Sequence, residues 1–141
     1  MISTFWNNVA RNEQLLISSG DTDAKHQVIN LKNVRNRGEL VGILLETMNK
    51  VATPGASKTL TLYYAFSNKE NRVPAEFDST NGYASVALNL PNAAAETIMS
   101  YSLPINYQGG DYLHIWFTAS TFATPTAQLE LDLSVLAKTL N

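Results

Sequence analysis

Short stretches in which apolar and polar residues alternate organise this chain. Two clear examples are Lys58–Phe66 and Gln128–Val135, where leucines, aromatic residues and valine alternate with threonine, serine and acids. A period of two is typical of a β-strand with one buried face. The same pattern predicts further strands at residues 13–18, 25–31, 73–77, 83–90, 97–103 and 111–119.

Three stretches carry signals besides the alternation. Glu39–Thr47 is nearly continuous in apolar residues, which predicts a strand buried on both faces. Pro74 cannot donate to a central ladder, so residues 73–77 are expected at a sheet edge. Ala93–Glu96 is rich in alanine and is the one place where a helical turn is expected.

The segments between these stretches help to predict the fold class. Turn-forming residues separate the strands, as in Ser19–Asp23 and Pro54-Gly55. About eight strands with almost no helix indicate an all-β fold, a two-sheet β-sandwich of antiparallel strands. Long connections at 48–57 and 104–110 favour jelly-roll topology. Residues 1–12 show no sustained period and are predicted as an N-terminal arm, which leaves residues 13–141 as the β-sandwich domain.

Several side chains are candidates for contact with a neighbouring subunit. Phe5 and Trp6 stand in the polar arm and are expected to dock on the chain's own core or on a neighbour. Tyr63, Tyr112 and Trp116 occupy outward positions of predicted strands, where an aromatic ring can form an interface, cover a sheet or stack on a sugar.

A small basic cluster follows the second predicted strand. Lys32, Arg35 and Arg37 lie in a polar connection without interleaved aromatic residues, which makes a poor nucleic-acid site. We therefore expect either a rim that contacts an acidic neighbour or a solvated loop.

Composition narrows the classes of partner. Charged residues are 16% of the 141 residues and the formal net charge is -2, so no basic field for nucleic acid is expected. Cysteine is absent, which excludes disulfides and thiolate metal sites. The longest apolar runs are too short to cross a membrane, and the first residues lack the pattern of a signal peptide. We therefore expect synthesis in the cytoplasm and no membrane partner.

Candidate catalytic or metal-binding groups are few. His114 with Asp111 has no specific ligand spacing, and a strand residue is the simpler interpretation. Glu130 and Asp132 lie about 7 Å apart on one strand face, but alternating acids are also the usual solubility pattern. Asp21 and Asp23 fit a turn better than a calcium loop. No enzyme activity, cofactor or metal is predicted.

The stretch from Ser18 to Phe77 is similar to a known family in the order of its segments. A polar Ser19–Thr22 step is followed by Arg37-Gly38 and the apolar strand Glu39–Leu45, then by the small-residue loop Ala52–Ser57 and the strand Thr59–Phe66. This order resembles the jelly-roll decoration, or cement, proteins of tailed double-stranded DNA bacteriophages. The resemblance implies a homotrimer that sits on capsid symmetry axes and clamps subunits of the major capsid protein.

The resulting hypothesis is a non-enzymatic virion structural protein on the capsid surface, which self-associates and stabilises the phage head. Absent catalytic motifs, low charge and surplus outward aromatic residues favour it. The alternative is a carbohydrate- or receptor-binding β-sandwich module of a phage tail or fibre. That alternative requires aromatic side chains clustered on an exposed face beside polar loops.

Overall fold

A computed structural model describes residues 4–32, 38–77, 82–93, 95–106 and 109–140 of the chain. Within them lie eight strands and one short 3-10 helix at Pro74–Glu76. The strands are β1 (Thr4–Ser18), β2 (Ala24–Asn30), β3 (Gly38–Asn49), β4 (Thr59–Ser67), β5 (Ala84–Asn89), β6 (Ile98–Asn106), β7 (Tyr112–Ala119) and β8 (Gln128–Leu140).

The strands form two four-stranded sheets with jelly-roll topology. Sheet I has the order β1-β8-β3-β6 and sheet II the order β2-β7-β4-β5. The first strand pairs with the last, the second with the seventh, the third with the sixth and the fourth with the fifth, all antiparallel. The two-sheet antiparallel sandwich predicted from the alternation is therefore confirmed.

The core lies between the sheets and consists of the predicted inward positions. Leu60 and Leu62 of β4 are fully buried, so the strand predicted at 58–66 faces the core as its pattern indicates. The other fully buried core side chains come mainly from β7 and β8: Leu113, Ile115, Phe117, Leu129 and Leu131. Such a core is stabilised at about 25 cal/mol per Å² of apolar surface removed from water.

Strand β1 includes most of the stretch expected as an arm. From Thr4 onward the backbone pairs with β8, beginning opposite Leu140. The register shifts twice, between Asn8 and Ala10 and between Asn12 and Leu15. Each bulge changes which face the next side chain occupies. An edge strand with two bulges therefore shows no sustained period of two, which is why the alternation failed to reveal it.

Two local expectations are corrected. Residues 73–77 were expected as an edge strand, but Pro74–Glu76 form a 3-10 helix. Ala93 and the residues 95–96 form no helix, and the latter are a turn. At Pro74 the start of a helix suits the proline, whereas at Ala93 and residues 95–96 the helix preference of alanine is overridden where the chain crosses from one sheet to the other.

Strand β3 was expected to be buried on both faces, and its burial alternates instead. Ile43 and Leu45 are buried, as is Thr47, whereas Leu44 is only half-buried and Glu46 is exposed. The apolar residue Leu44 lies on the outer face of sheet I, beside Ser134 of β8 and Ser102 of β6. Its exposure leaves apolar surface open on that face.

Candidate functional site

The outer face of sheet II is covered by the chain itself. Residues 68–77, here called the cover segment, follow β4 and contain the 3-10 helix. Pro74 suits the start of a helix because its missing N–H would have no partner there. Oε1 of Glu76 accepts a hydrogen bond from the Val73 N–H at 3.0 Å. The segment ends by packing Phe77, which is 8% exposed, against the sheet.

Trp116 lies at the centre of an aromatic cluster formed with Tyr63, Phe77 and Tyr83. Its ring stacks on Tyr63, with centroids 5.6 Å and planes 3° apart, and on Phe77, at 5.3 Å and 21°. Tyr83 meets it edge-on at 5.7 Å. These are favourable geometries for aromatic pairs. Trp116 is only 2% exposed, so the cluster closes over it.

Two histidines form a hydrogen-bonded pair beside this cluster. Nε2 of His26 and Nδ1 of His114 are 2.8 Å apart, and the two ring planes are within 14° of parallel. Nε2 of His114 lies 2.8 Å from the carbonyl oxygen of Lys69 in the cover segment. Because a carbonyl can only accept, His114 donates from Nε2 to Lys69 and, when neutral, accepts at Nδ1 from His26. Both ring nitrogens of His114 are thus in use.

The surroundings of the pair disfavour its charged forms. Burial lowers the pKa of His26, and the neighbouring His114 lowers it further. Burial also lowers the pKa of His114; the Lys69 carbonyl opposes this shift, whereas the Arg72 guanidinium reinforces it. Both imidazoles are therefore neutral near neutral pH, and protonation of either ring is less favourable than in a free histidine.

Most of the predicted interface residues of sheet II are buried within the fold. Trp116 is covered as described, and Tyr112 is 8% exposed, with Nζ of Lys32 5.3 Å from the centre of its ring. Tyr63 is half-buried. Internal cover was one of the three roles left open for these outward positions, and the burial of Tyr112 and Trp116 agrees with it. Alternation identifies the face a side chain occupies, but it does not show what packs on that face.

The other predicted interface residues lie beyond what the structure describes in side-chain detail. Phe5 and Trp6 belong to β1, where their backbones pair opposite Thr139 and Lys138, and their side chains are outside the described set. Arg35 and Arg37 fall outside the described residues. Their role at a subunit contact stays a prediction.

The outer face of sheet I carries exposed apolar side chains that the alternation did not single out. Leu16, Glu130, Met48 and Ile98 lie directly opposite one another on β1, β8, β3 and β6. We call this line across all four strands the outer row. Leu16 is 42% and Ile98 62% exposed. Exposed apolar groups that line up across a sheet are typical of a contact surface.

Charged side chains flank the outer row. Glu46 lies directly opposite Asp132 on the neighbouring strand, a pairing of like charges that is unfavourable by itself. Arg11 offsets it, since its guanidinium binds both carboxylate oxygens of Asp132, at 3.0 and 3.3 Å. Nζ of Lys50 lies 2.9 Å from Glu130. The acids considered for glycoside hydrolysis are thus each held by a cation on an open face.

The remaining chemical candidates are also placed. Asp21 closes a turn, because its carboxylate accepts a hydrogen bond from the Ser18 N–H at 2.8 Å. Among the described residues no group of three or more metal-ligating side chains converges. No helix in the described ranges is long and apolar enough to span a membrane. The described residues contain an outer face with exposed apolar side chains and a histidine pair, and the pair was missed because its two members are far apart in sequence.

Comparison with known proteins gives little beyond the fold. No family model matches the chain, and no curated protein matches it. Among solved structures, the CBM22-1 xylan-binding domain of Xyn10C from Paenibacillus barcinonensis is similar, with 13% sequence identity and a TM-score of 0.46. That match covers 94% of this chain and 85% of the domain.

Proposed function

We propose that this chain is a non-enzymatic structural protein of a phage head, a decoration protein that self-associates and docks on the major capsid protein. The outer face of sheet I serves as its contact surface. One observation carries the proposal: the outer row crosses all four strands, and the side chains at its two ends, Leu16 and Ile98, are apolar and exposed.

The balance of groups on this face suits protein contact. Apolar area supplies the free energy of association, at about 25 cal/mol per Å² before the entropic costs of binding. The flanking charges add specificity, because Glu46 lies opposite Asp132 and a partner's basic side chain can add to the positive charge that Arg11 supplies there. Sheet II lacks such a surface at Trp116, which its own cover segment encloses.

The proposal is tested by placing a charge in the outer row. We expect Ile98→Lys to abolish self-association, measured by sedimentation velocity over a range of concentrations. Val51→Lys is the matched control, because Val51 is 54% exposed and lies outside the strands. Its oligomer should equal that of the wild type. A wild-type chain that stays monomeric at high concentration, or equal behaviour of the two variants, contradicts the proposal.

Capsid docking is tested separately by co-sedimentation with expanded phage heads that lack a decoration protein. We expect the wild type and Val51→Lys to sediment with the heads, and Ile98→Lys to stay in the supernatant. Heads of the phage that encodes this chain are the appropriate partner. If the wild-type chain associates with itself but does not bind these heads, the proposed self-association stands and the proposed capsid role is contradicted.

A second candidate function is a carbohydrate-binding module. Tyr83 keeps part of its surface exposed and lines a groove together with Ser67, Asn68 and Gly110. An aromatic ring beside polar groups can stack on a sugar. A glycan array in which binding is lost on Tyr83→Ala but kept in Ile98→Lys would support this function over the first.

A further inference from the structure

We propose that the His26–His114 pair is an acid-operated latch, which holds the cover segment over Trp116 at neutral pH and releases it when both rings are protonated. This inference does not depend on the proposed function, because it concerns the face of sheet II and not the contact surface of sheet I.

The latch is closed by one chain of hydrogen bonds. His26 of β2 donates to His114 of β7, and His114 donates to the Lys69 carbonyl, with both donor–acceptor distances 2.8 Å. His114 is fully buried, whereas His26 is only half-buried and open to solvent protons. The two imidazole rings thereby join the central strand β7 to the edge strand β2 and to the cover segment.

The number of protons that the histidine pair binds determines when the cover segment is released. A first proton can bind Nδ1 of His26, because Nε2 of that ring still donates to His114. A second proton has to bind Nδ1 of His114, where it faces the N–H of His26, and two donors cannot share a hydrogen bond. The pair therefore tolerates one proton from solvent and separates with two, so release takes up two protons in all.

The neighbouring groups favour separation once the rings are charged. Arg72 in the cover segment adds a positive charge that acts on His114, and its guanidinium lies 5.8 Å from the ring centre of Phe77. The cover segment's two acids, Glu70 and Glu76, are exposed, and Glu76 is bound by the Val73 N–H. From β4 and the residue before β5, the titratable groups of the cluster are Tyr63 and Tyr83.

Release of the cover segment exposes the aromatic cluster. Phe77 contacts both His114, at 5.1 Å between ring centres, and Trp116, at 5.3 Å. If the Lys69 hydrogen bond and the ring contact to His114 are lost together, the cover segment loses both of these links to His114. Trp116 then becomes accessible while the two sheets, whose core lies on the opposite face of sheet II, stay intact.

The test uses the full chain with Trp6→Phe, which leaves Trp116 as the only tryptophan. We expect quenching of its fluorescence by acrylamide to rise several-fold between about pH 7.5 and about pH 5, the range in which histidine titrates. Circular dichroism in the far ultraviolet should stay unchanged over the same range. Unchanged quenching, or a rise that accompanies loss of the β signal, overturns the proposal.

A second variant separates the latch from general acid sensitivity. In His26→Gln the side-chain amide can donate to a neutral His114 and accept from a charged one, so the hydrogen-bond chain survives one protonation. We expect this variant to stay closed to acrylamide at about pH 5. Behaviour like that of the wild type overturns the proposal.

Hydrogen exchange of the wild-type chain gives a readout that needs no variant. Amides of residues 68–77 should lose protection in acid, after correction for intrinsic exchange rates, while those of β7 and β8 keep theirs. Equal loss in all three regions contradicts a local latch.

Discussion

Phe77 lies against Trp116 with ring centres 5.3 Å apart and planes inclined by 21°. The contact joins the end of the cover segment to the middle of a central strand of sheet II. It turns a surface that the sequence marks as outward into a second, smaller core with Ala65. Sheet I exposes apolar side chains on its outer face, and this difference between the faces is why the proposed contact surface lies on sheet I.

The contact predicts a large loss of stability on Phe77→Ala. Because Phe77 is 8% exposed and packs on Trp116, its removal leaves a cavity and opens the cluster to water. We expect the free energy of unfolding to fall by about 3 kcal/mol. Chemical denaturation measures the loss, with Val73→Ala as the control on the same segment, because Val73 is 49% exposed. Equal effects of the two variants would show that Phe77 does not hold the cover.

Alternation along the chain predicted the sandwich because burial on one face imposes a period of two. It predicted the outward position of Trp116 but could not decide whether the ring is covered, since a loop that folds back leaves no periodic signal. The local sequence did hold a clue in Val73–Phe77, where Pro74 at the start and Glu76 two residues later are typical of a helical turn.

The candidate sites were harder to predict because they depend on strand order. His26 and His114 meet only because β2 pairs with β7, and Leu16 and Ile98 share a line only because β8 and β3 lie between their strands. A single sequence gives the faces of strands but not their neighbours. The bulges in β1 add a second obstacle, since they reverse the facing of the residues that follow.

Stability should fall in mild acid because the folded state holds its histidines neutral. The pKa values of His26 and His114 are lowered on folding, so the unfolded chain binds more protons below its histidine pKa of about 6.5. The stabilisation is complete above that pH and is lost as the pH falls toward the lower folded values. The slope is below about 1.4 kcal/mol per pH unit for each ring, and smaller for the solvent-screened His26.

Urea denaturation at a series of pH values from about 8 to about 5 measures this slope. The double variant His26→Gln/His114→Gln should show a flatter profile over the same range, because no titrating ring remains in the chain. An identical slope in the variant would assign the pH dependence to the carboxylates.

Asn49 should act as a buried clamp on the connection between β5 and β6. Its side-chain amide donates to the carbonyl of Ala93 at 3.0 Å, and its backbone N–H donates to Thr97 at 3.0 Å. The residue is fully buried. Asn49→Asp removes the amide donor and places a carboxylate beside a carbonyl oxygen, so we expect a loss of about 3 kcal/mol.

The control for Asn49 is Asn92→Ala in the same connection. Asn92 is exposed and accepts one hydrogen bond from Thr53, so its loss should stay within about 0.5 kcal/mol. Thermal unfolding of both variants at neutral pH gives the comparison. If Asn49→Asp unfolds at the wild-type temperature, the clamp contributes nothing.

Replacing Gly55 by any residue with a side chain should lower the stability of the fold, because backbone strain and a steric clash both arise at this position. Its φ is +105°, and a Cβ at this position would lie 2.6 Å from the Cβ of Ala123. The clash cannot relax by rotation, since the Ala123 N–H is held by the Pro54 carbonyl at 2.8 Å. We expect Gly55→Ala to cost about 3 kcal/mol, against about 1 kcal/mol for Gly20→Ala, whose φ is +72° and whose nearest contact is 4.0 Å away. The double variant Gly55→Ala/Ala123→Gly removes the clash and keeps the backbone strain, so denaturation should recover most of the difference; no recovery would place the whole cost in the backbone.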